Sequence, residues 1–142
     1  MKSTLDYLHF AENDYQYFIH SYNRGDVANA MANIAQSICE RYLKHIIAVY
    51  VKPNPDDKNA YQKNADVLHT HSLMKLWNYL REVLPDFEVD RKKLKGGDGY
   101  YFTSRYPGSE SFDVTCSDIE ECREAVEECR NKVLAYLKEC EE

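Results

Sequence analysis

The residues best suited to chemistry lie in one segment, 26–50, where polar side chains interrupt an apolar run. Gln36, Glu40 and Lys44 recur there at four-residue steps. At about 100° per residue, the apolar residues of the segment cover an arc of roughly 220° around a helix. Gln36 falls inside that arc and Glu40 on its margin. Unpaired buried polar groups are costly, so we expect both side chains to have partners.

Arg41 and His45 lie one helical turn apart in the same segment. Such a pair could act on a phosphodiester, because histidine can move a proton while arginine stabilises charge on phosphate. Their position at the polar edge of the helix favours an ordinary rim role, and no second catalytic group is evident nearby. We therefore keep Arg41 and His45 only as an alternative catalytic pair.

Two further motifs give weaker signals. His69 and His71 form an H-x-H pair without a third ligand at convincing spacing, so we predict no metal site. The loop Gly96–Gly99 could present backbone N–H groups to a phosphate, but it matches no known phosphate-binding pattern and a plain flexible loop is favoured. A weak anion-site hypothesis rests on the basic residues beside this loop, which are Arg91, Lys92 and Lys95. No cofactor is indicated.

Composition limits the class of protein. A length of 142 residues predicts one domain, 1–142, with room for a real core. The net charge of −6 argues against general nucleic-acid binding. No apolar run approaches the length of a membrane span and no signal peptide is evident, which favours a cytoplasmic location. We expect free thiols in the core rather than disulfides or metal ligands at Cys39, Cys116, Cys122, Cys129 and Cys140.

Periodicity predicts an all-α, up-and-down bundle of four to five helices. The expected helices span about 4–22 with Ser3 as cap, 26–50 with Asp26 as cap, 72–84 with Thr70 or Ser72 as cap, and about 117–140 with Ser117 or Asp118 as cap. The polar stretch up to Leu68 predicts no more than a short helical turn, and region 86–112 is irregular. No strand pattern occurs.

Four motifs, in order along nearly the whole chain, resemble the HEPN domain family. They are Ala11-x-x-Asp14, the segment Ala30 to Lys44, His71-x-Leu73, and Arg105-Tyr106-Pro107. The resemblance implies a helical bundle that is commonly dimeric. It also implies a role beside a minimal nucleotidyltransferase, as in two-gene toxin–antitoxin or substrate-binding pairs; other members are metal-independent ribonucleases or nucleotide-binding modules.

The ribonuclease branch of that family carries R-x(4–6)-H, and no arginine of this chain is followed by histidine at that spacing. The resemblance therefore implies the non-catalytic branch: a binding module for a nucleotide or a partner, working with a nucleotidyltransferase-like protein and forming a homodimer. Two alternatives stay open. One is a ribonuclease with a degenerate site at Arg41 and His45, and the other is a structural domain that dimerises through the seam from Ile119 to Cys140.

We expect a polar cluster between the first, second and fourth elements, in which Arg105 pairs with a carboxylate. Its predicted members are Asp14, Gln36, Glu40, Arg105 and Tyr106. A structural role that fixes helix register is favoured over a ligand site. By charge and position alone, the candidate ligand contacts are Arg91, Lys92, Lys95, Arg105 and Tyr106.

Overall fold

Helices form all the regular structure that the computed structural model describes, which covers residues 6–103, 107–108 and 113–141. Five helices have eleven residues or more and two are short, so the predicted all-α bundle of four to five helices is confirmed. In chain order the helices are α1 (Tyr7–Asn23), α2 (Asn29–Tyr50), α3 (Lys58–Leu68), α4 (Leu73–Val83), α5 (Arg91–Lys95), α6 (Tyr100–Thr103) and α7 (Cys116–Glu141).

Helix α2 is the centre of the bundle. It packs against α1 and α7 along its length and also contacts α3, α4 and α6. Thirteen of its 22 residues are buried, as the wide apolar arc predicts. Burying large side chains such as Ile38, Leu43 and Ile46 removes apolar surface from water on several sides at once, which is the main stabilising contribution in such a bundle.

A polar network fixes how α1, α2 and α7 pack together. The Tyr42 hydroxyl donates to Glu12 at 2.5 Å, and the Arg130 guanidinium donates to the same carboxylate at 3.0 Å. The Tyr15 hydroxyl donates to Glu127 at 2.6 Å, and Arg130 lies over the Tyr15 ring. Burial and the bond to Glu127 raise the pKa of Tyr15 to about 12. These contacts between three helices fix their register.

The starts of α1 and α2 differ from the predictions. Asp6 caps α1, accepting from the His9 N–H at 2.9 Å, whereas the predicted cap, Ser3, lies outside the described residues. The prediction that Asp26 caps α2 is wrong, because its carboxylate pairs with Arg24 at 2.7 Å and α2 begins three residues later. The side chain of Asn29 instead ties the start of α2 to the chain before α7, accepting from the Val114 N–H at 2.9 Å.

Helix α3 was not expected from its polar sequence, and the prediction of no more than a short turn is wrong. Asp57 caps the helix by accepting from the Ala60 N–H at 3.1 Å. None of its residues is buried. Contacts with α4 hold it in place: Asn64 donates to the Tyr79 hydroxyl at 2.9 Å, and Lys63 pairs with Glu82 at 2.9 Å. Val67 and Leu68, at the end of the helix, also pack partly buried against the core.

Helix α4 begins after Ser72, whose hydroxyl accepts from the Lys75 N–H, and ends before Pro85, as predicted. Helix α7 begins with a reciprocal cap in which Thr115 and Asp118 each accept from the backbone N–H of the other. Thr115 is therefore the N-cap, and the prediction of Ser117 or Asp118 is wrong, because both lie in the first turn of α7, where Asp118 completes the reciprocal cap.

The apolar seam of α7 faces the bundle. Ile119, Cys122, Val126, Cys129 and Val133 are all buried within the chain. The seam from Ile119 to Val133 is therefore part of the core, whereas its last member, Cys140, is exposed. The prediction of free thiols in the core is confirmed for Cys39, Cys122 and Cys129, which are buried. It is wrong for Cys116 and Cys140, which are exposed.

Candidate functional site

Gln36 connects α2 to two distant parts of the chain. Its side-chain amide donates to the carbonyl oxygen of His71 at 2.5 Å and accepts from the Tyr100 N–H at 2.7 Å. The residue is only 2% exposed. Both ends of the amide are satisfied, as the sequence requires, and Gln36 thereby fixes the start of α4 and the start of α6 against the central helix.

Glu40, one turn along α2, meets the side chain of His71. Its two carboxylate oxygens lie 3.2 and 3.5 Å from the His71 Nδ1. The Glu40 side chain is 8% exposed and that of His71 is 41% exposed. The imidazole also stacks on the Tyr101 ring, with centroids 3.6 Å apart and planes 8° from parallel. We call Glu40, Lys44, His71 and Tyr101 the Glu40 cluster.

Burial controls the charges of this cluster. Burial raises the pKa of the Glu40 carboxyl, while Lys44 and His71 oppose that shift. Burial likewise lowers the pKa of the Lys44 amine, and Glu40 opposes that change. Each charged group is thus held in a poorly solvated place by its neighbours. His71 is the member through which the cluster reaches the surface.

Asp98 holds the other side of this site. Its carboxylate accepts from the Leu73 N–H at 3.0 Å and from the Met74 N–H at 3.2 Å, at the start of α4. A carboxylate at a helix N-terminus satisfies free N–H groups and complements the helix dipole. The position of His71 is therefore fixed by Asp98, by Gln36 and by the stack on Tyr101.

The glycine loop before α6 is packed rather than open. A Cβ on Gly97 would lie 2.7 Å from the Cβ of Ala125 on α7, so only glycine fits without a shift. The N–H groups of Gly96, Gly97 and Asp98 donate to the carbonyls of Lys93, Leu94 and Lys95. These three N–H groups are already bonded within the chain, and they form no cradle for a phosphate.

The predicted cluster is divided in the structure. Gln36 and Glu40 lie together, but the carboxylate of Asp14 pairs with Arg41. Arg105 and Tyr106 lie outside the described residues, two and three residues beyond the end of α6. The partners found for Gln36 and Glu40 are the backbone and side chain of His71 and the backbone of Tyr100.

The side chains of Arg41 and His45 do not converge on a common substrate position. The Arg41 guanidinium is occupied by Asp14 on α1. His45 is buried, and burial lowers the pKa of its imidazole. A buried histidine one turn from a paired arginine is typical of packing between helices.

The predicted basic contacts lie in two places. Arg91 lies over the indole of Trp77, 5.7 Å from its centroid. Lys92 and Lys95 line a separate groove of about 540 Å³, where three lysines face three carboxylates. The positive charge of Lys92 and Lys95 is therefore locally balanced, and Arg91 belongs to a different surface.

The described residues contain no group of three or more His, Cys, Asp or Glu side chains placed to hold a metal ion. The His69 Nδ1–H donates to the Ala65 carbonyl at 2.8 Å, while the His71 Nδ1 lies 3.2 Å from the Glu40 carboxylate. No helix in the described ranges is both long enough and apolar enough to cross a membrane.

A family model described as the HEPN domain matches residues 58–139, more than half of the chain. This chain belongs to the HEPN family. The match covers α3 to α6 and most of α7, and it includes His71 and Asp98 but neither Gln36 nor Glu40. No curated protein and no solved structure matches the chain at a significant level.

The roles of three residues in the candidate site were missed by the sequence interpretation: His71, Asp98 and Tyr101. His71 was considered as a metal ligand and as part of the His71-x-Leu73 motif but not as the partner of Glu40, although its place two residues before α4 already put its carbonyl and side chain at a helix start. Asp98 was treated as part of a loop, yet a carboxylate among glycines is well suited to capping a neighbouring helix. No sequence pattern indicated the stack of Tyr101 on His71.

Proposed function

We propose that this HEPN protein is a non-catalytic binding module that acts with a nucleotidyltransferase-like partner, as a homodimer. The Glu40 cluster is the observation that carries the proposal. It is a polar site midway along the central helix that reaches the surface through His71, and Arg105 and Tyr106 follow α6 in the sequence. The partner and the homodimer follow from the family resemblance.

The chemistry of the Glu40 cluster favours a protein partner over a nucleotide at this place. A phosphate would meet the Glu40 carboxylate, and repulsion between like charges opposes binding. A partner's donor groups, by contrast, would meet the half-exposed His71 and the ring of Tyr101, which is the kind of aromatic and polar contact that interfaces favour. A nucleotide would instead need a cationic surface.

Two observations support a non-catalytic role. The sequence lacks the R-x(4–6)-H spacing of the ribonuclease branch. The alternative pair, Arg41 and His45, is committed to packing, since Arg41 pairs with Asp14 and His45 is buried. An RNA-cleavage assay checks this half of the proposal. Cleavage by the wild type that both Arg41→Ala and His45→Ala abolish would contradict it.

A binding assay checks the partner half. The protein should be purified with a minimal nucleotidyltransferase encoded beside its gene, and the mass of the mixture measured by light scattering. We expect one stable complex, which His71→Ala weakens because it removes both the contact to Glu40 and the stack on Tyr101. His69→Ala is the matched control, an exposed histidine two residues away.

The absence of such a neighbouring gene, or of a complex at micromolar concentrations, would contradict the partner proposal. The protein measured alone should give twice the 16.7 kDa of one chain. A single-chain mass at high concentration would contradict the homodimer. The seam of α7 is buried from Ile119 to Val133, so a dimer would form through residues other than these.

A further inference from the structure

A groove beside α4 carries two opposite charges on an otherwise apolar lining. Its volume is about 440 Å³, which lies within the range of small-molecule sites. Arg81 and Glu88 are the charged residues that line it. Most of the other lining residues are apolar, among them Leu43, Trp77, Leu80 and Phe87. We call this the Trp77 groove, and no member of the Glu40 cluster lines it.

The groove is formed where the chain turns back after α4. The Phe87 N–H donates to the Leu84 carbonyl at 3.0 Å in this turn. The Trp77 indole N–H then donates to the Val89 carbonyl at 2.8 Å, which ties the returning chain to the helix. Phe87 and Val89 are buried on either side of Glu88, which is exposed. The Glu88 carboxylate is therefore carried by an ordered backbone, and this lowers the cost of binding a ligand.

The two charges of the groove are not paired, either with each other or elsewhere. Neither Arg81 nor Glu88 takes part in an ion pair among the described residues, although Glu82, beside Arg81 in the sequence, pairs with Lys63 at 2.9 Å. The Arg81 guanidinium instead lies over the Trp77 ring, 5.4 Å from its centre. A guanidinium offers two parallel N–H donors to a carboxylate, and an ionised carboxylate accepts from an ammonium group. The groove therefore has one place for a ligand anion and one for a ligand cation.

The charge pattern selects the class of ligand. An apolar carboxylate would be attracted by Arg81 and repelled by Glu88, and an apolar amine would meet the reverse. A zwitterion avoids both repulsions, because its carboxylate meets Arg81 while its ammonium group meets Glu88. We propose that the Trp77 groove binds a free α-amino acid with a large apolar side chain, which packs against the apolar lining. This site goes beyond the proposed function and does not depend on it.

Trp77 is the single tryptophan of the chain, so its fluorescence reports on this groove directly. The protein should be titrated with L-phenylalanine, hydrocinnamate, phenethylamine and L-alanine, and the affinities checked by calorimetry. Hydrocinnamate is phenylalanine without the ammonium group, phenethylamine lacks the carboxylate, and alanine lacks the ring. We expect saturable binding of phenylalanine, with each of the other three binding about three- to tenfold more weakly or worse, the effect of losing one contact with an exposed charge or the apolar burial.

Substitutions locate the site. Arg81→Gln and Glu88→Gln should each weaken phenylalanine binding by about three- to tenfold. Lys75→Gln and Asp86→Asn are the matched controls, because they remove the same charges at exposed positions that do not line the groove. Circular dichroism should show that all four variants fold.

The analogues also identify which ligand group meets which residue. In Glu88→Gln, the advantage of phenylalanine over hydrocinnamate should disappear, because the ammonium group has lost its partner. In Arg81→Gln, the advantage of phenylalanine over phenethylamine should disappear in the same way. Each pair of ligands and variants forms a cycle that isolates one contact.

Absence of a fluorescence change and of calorimetric heat at millimolar phenylalanine would overturn the proposal. So would binding of hydrocinnamate, phenethylamine or alanine to the wild type as tightly as phenylalanine. An affinity for phenylalanine that Arg81→Gln and Glu88→Gln change no more than Lys75→Gln and Asp86→Asn do would overturn it as well. None of these results bears on the mass of the partner complex, so failure of this proposal is distinguishable from failure of the partner proposal.

Discussion

Substituting Gln36 by leucine tests the site at the residue that joins its parts. Leucine is close in size to glutamine but cannot bond to the backbone on either side. The carbonyl of His71 and the N–H of Tyr100 would lose the partners they have at 2.5 and 2.7 Å. Because Gln36 is 2% exposed, water cannot easily replace those bonds.

The magnitude follows from the number of groups left without a partner. Each buried group without a hydrogen bond costs about 1–3 kcal/mol, so the two groups together cost about 2–6 kcal/mol. The more apolar side chain recovers about 1–2 kcal/mol through burial. From the midpoints of these two ranges, about 4 and about 1.5 kcal/mol, we expect Gln36→Leu to lower the free energy of unfolding by about 2–3 kcal/mol, a large fraction of the stability of a domain of this size.

Urea unfolding followed by circular dichroism and by Trp77 fluorescence measures this difference. Gln16→Leu is the matched control, since Gln16 is exposed on α1 and the same exchange there should change stability little. A Gln36→Leu protein within about 0.5 kcal/mol of the wild type would refute the reasoning.

Three further changes test other contacts. His45→Gln should reduce the loss of stability on acidification. Burial places the folded pKa of His45 below its unfolded value near 6.5, so the contribution of His45 to stability is present above that value and is lost as the pH falls through the folded pKa. Unfolding at a series of pH values measures this difference. Gly97→Ala should lower stability by about 1–3 kcal/mol in urea, because its Cβ would lie 2.7 Å from that of Ala125. Asp98→Ala should cost about 1 kcal/mol and speed amide exchange at the start of α4, since it removes the cap there.

Each of these expectations has a result that contradicts it. If the stability of His45→Gln depends on pH as that of the wild type does, groups other than His45 cause the acid sensitivity, and the first prediction is wrong. In Gly97→Ala, the added substitution Ala125→Gly should make the two changes less than additive, and strict additivity would argue against the contact. For Asp98→Ala, the control is Asp86→Ala at an exposed position. Equal effects of the two changes on stability and amide exchange would show that Asp98 does not stabilise the start of α4.

The long periodic helices could be predicted from the sequence, and α3 could not. The arc of apolar residues in α2, the cap and proline around α4, and the three- and four-residue spacing in α7 each reflect burial against a core, which leaves a pattern along the chain. Helix α3 buries no residue fully, and its apolar contacts with the core are those of Val67 and Leu68 at its end. A helix that is polar over most of its length, with so short an apolar face, reads as a loop in the sequence.

For the candidate site, the sequence predicted only that Gln36 needs hydrogen-bond partners. Placing Gln36 on a buried face required a partner, and the sequence could say no more, because the partners are backbone groups at His71 and Tyr100, 35 and 64 residues away. Backbone groups occur at every position, so no residue type indicates them. Asp14 was placed in the same cluster by its charge, whereas the nearest cation, Arg41 on the facing helix, takes it instead.

We propose that the face of the Glu40 cluster binds a nucleotidyltransferase-like partner. Calorimetric titration of this protein with the minimal nucleotidyltransferase encoded beside it tests this binding most directly. We expect saturable binding that His71→Ala weakens by about tenfold or more, the effect of losing one central interface residue, while His69→Ala leaves the affinity unchanged. Absence of binding by the wild type, or equal affinities in both variants, would contradict it.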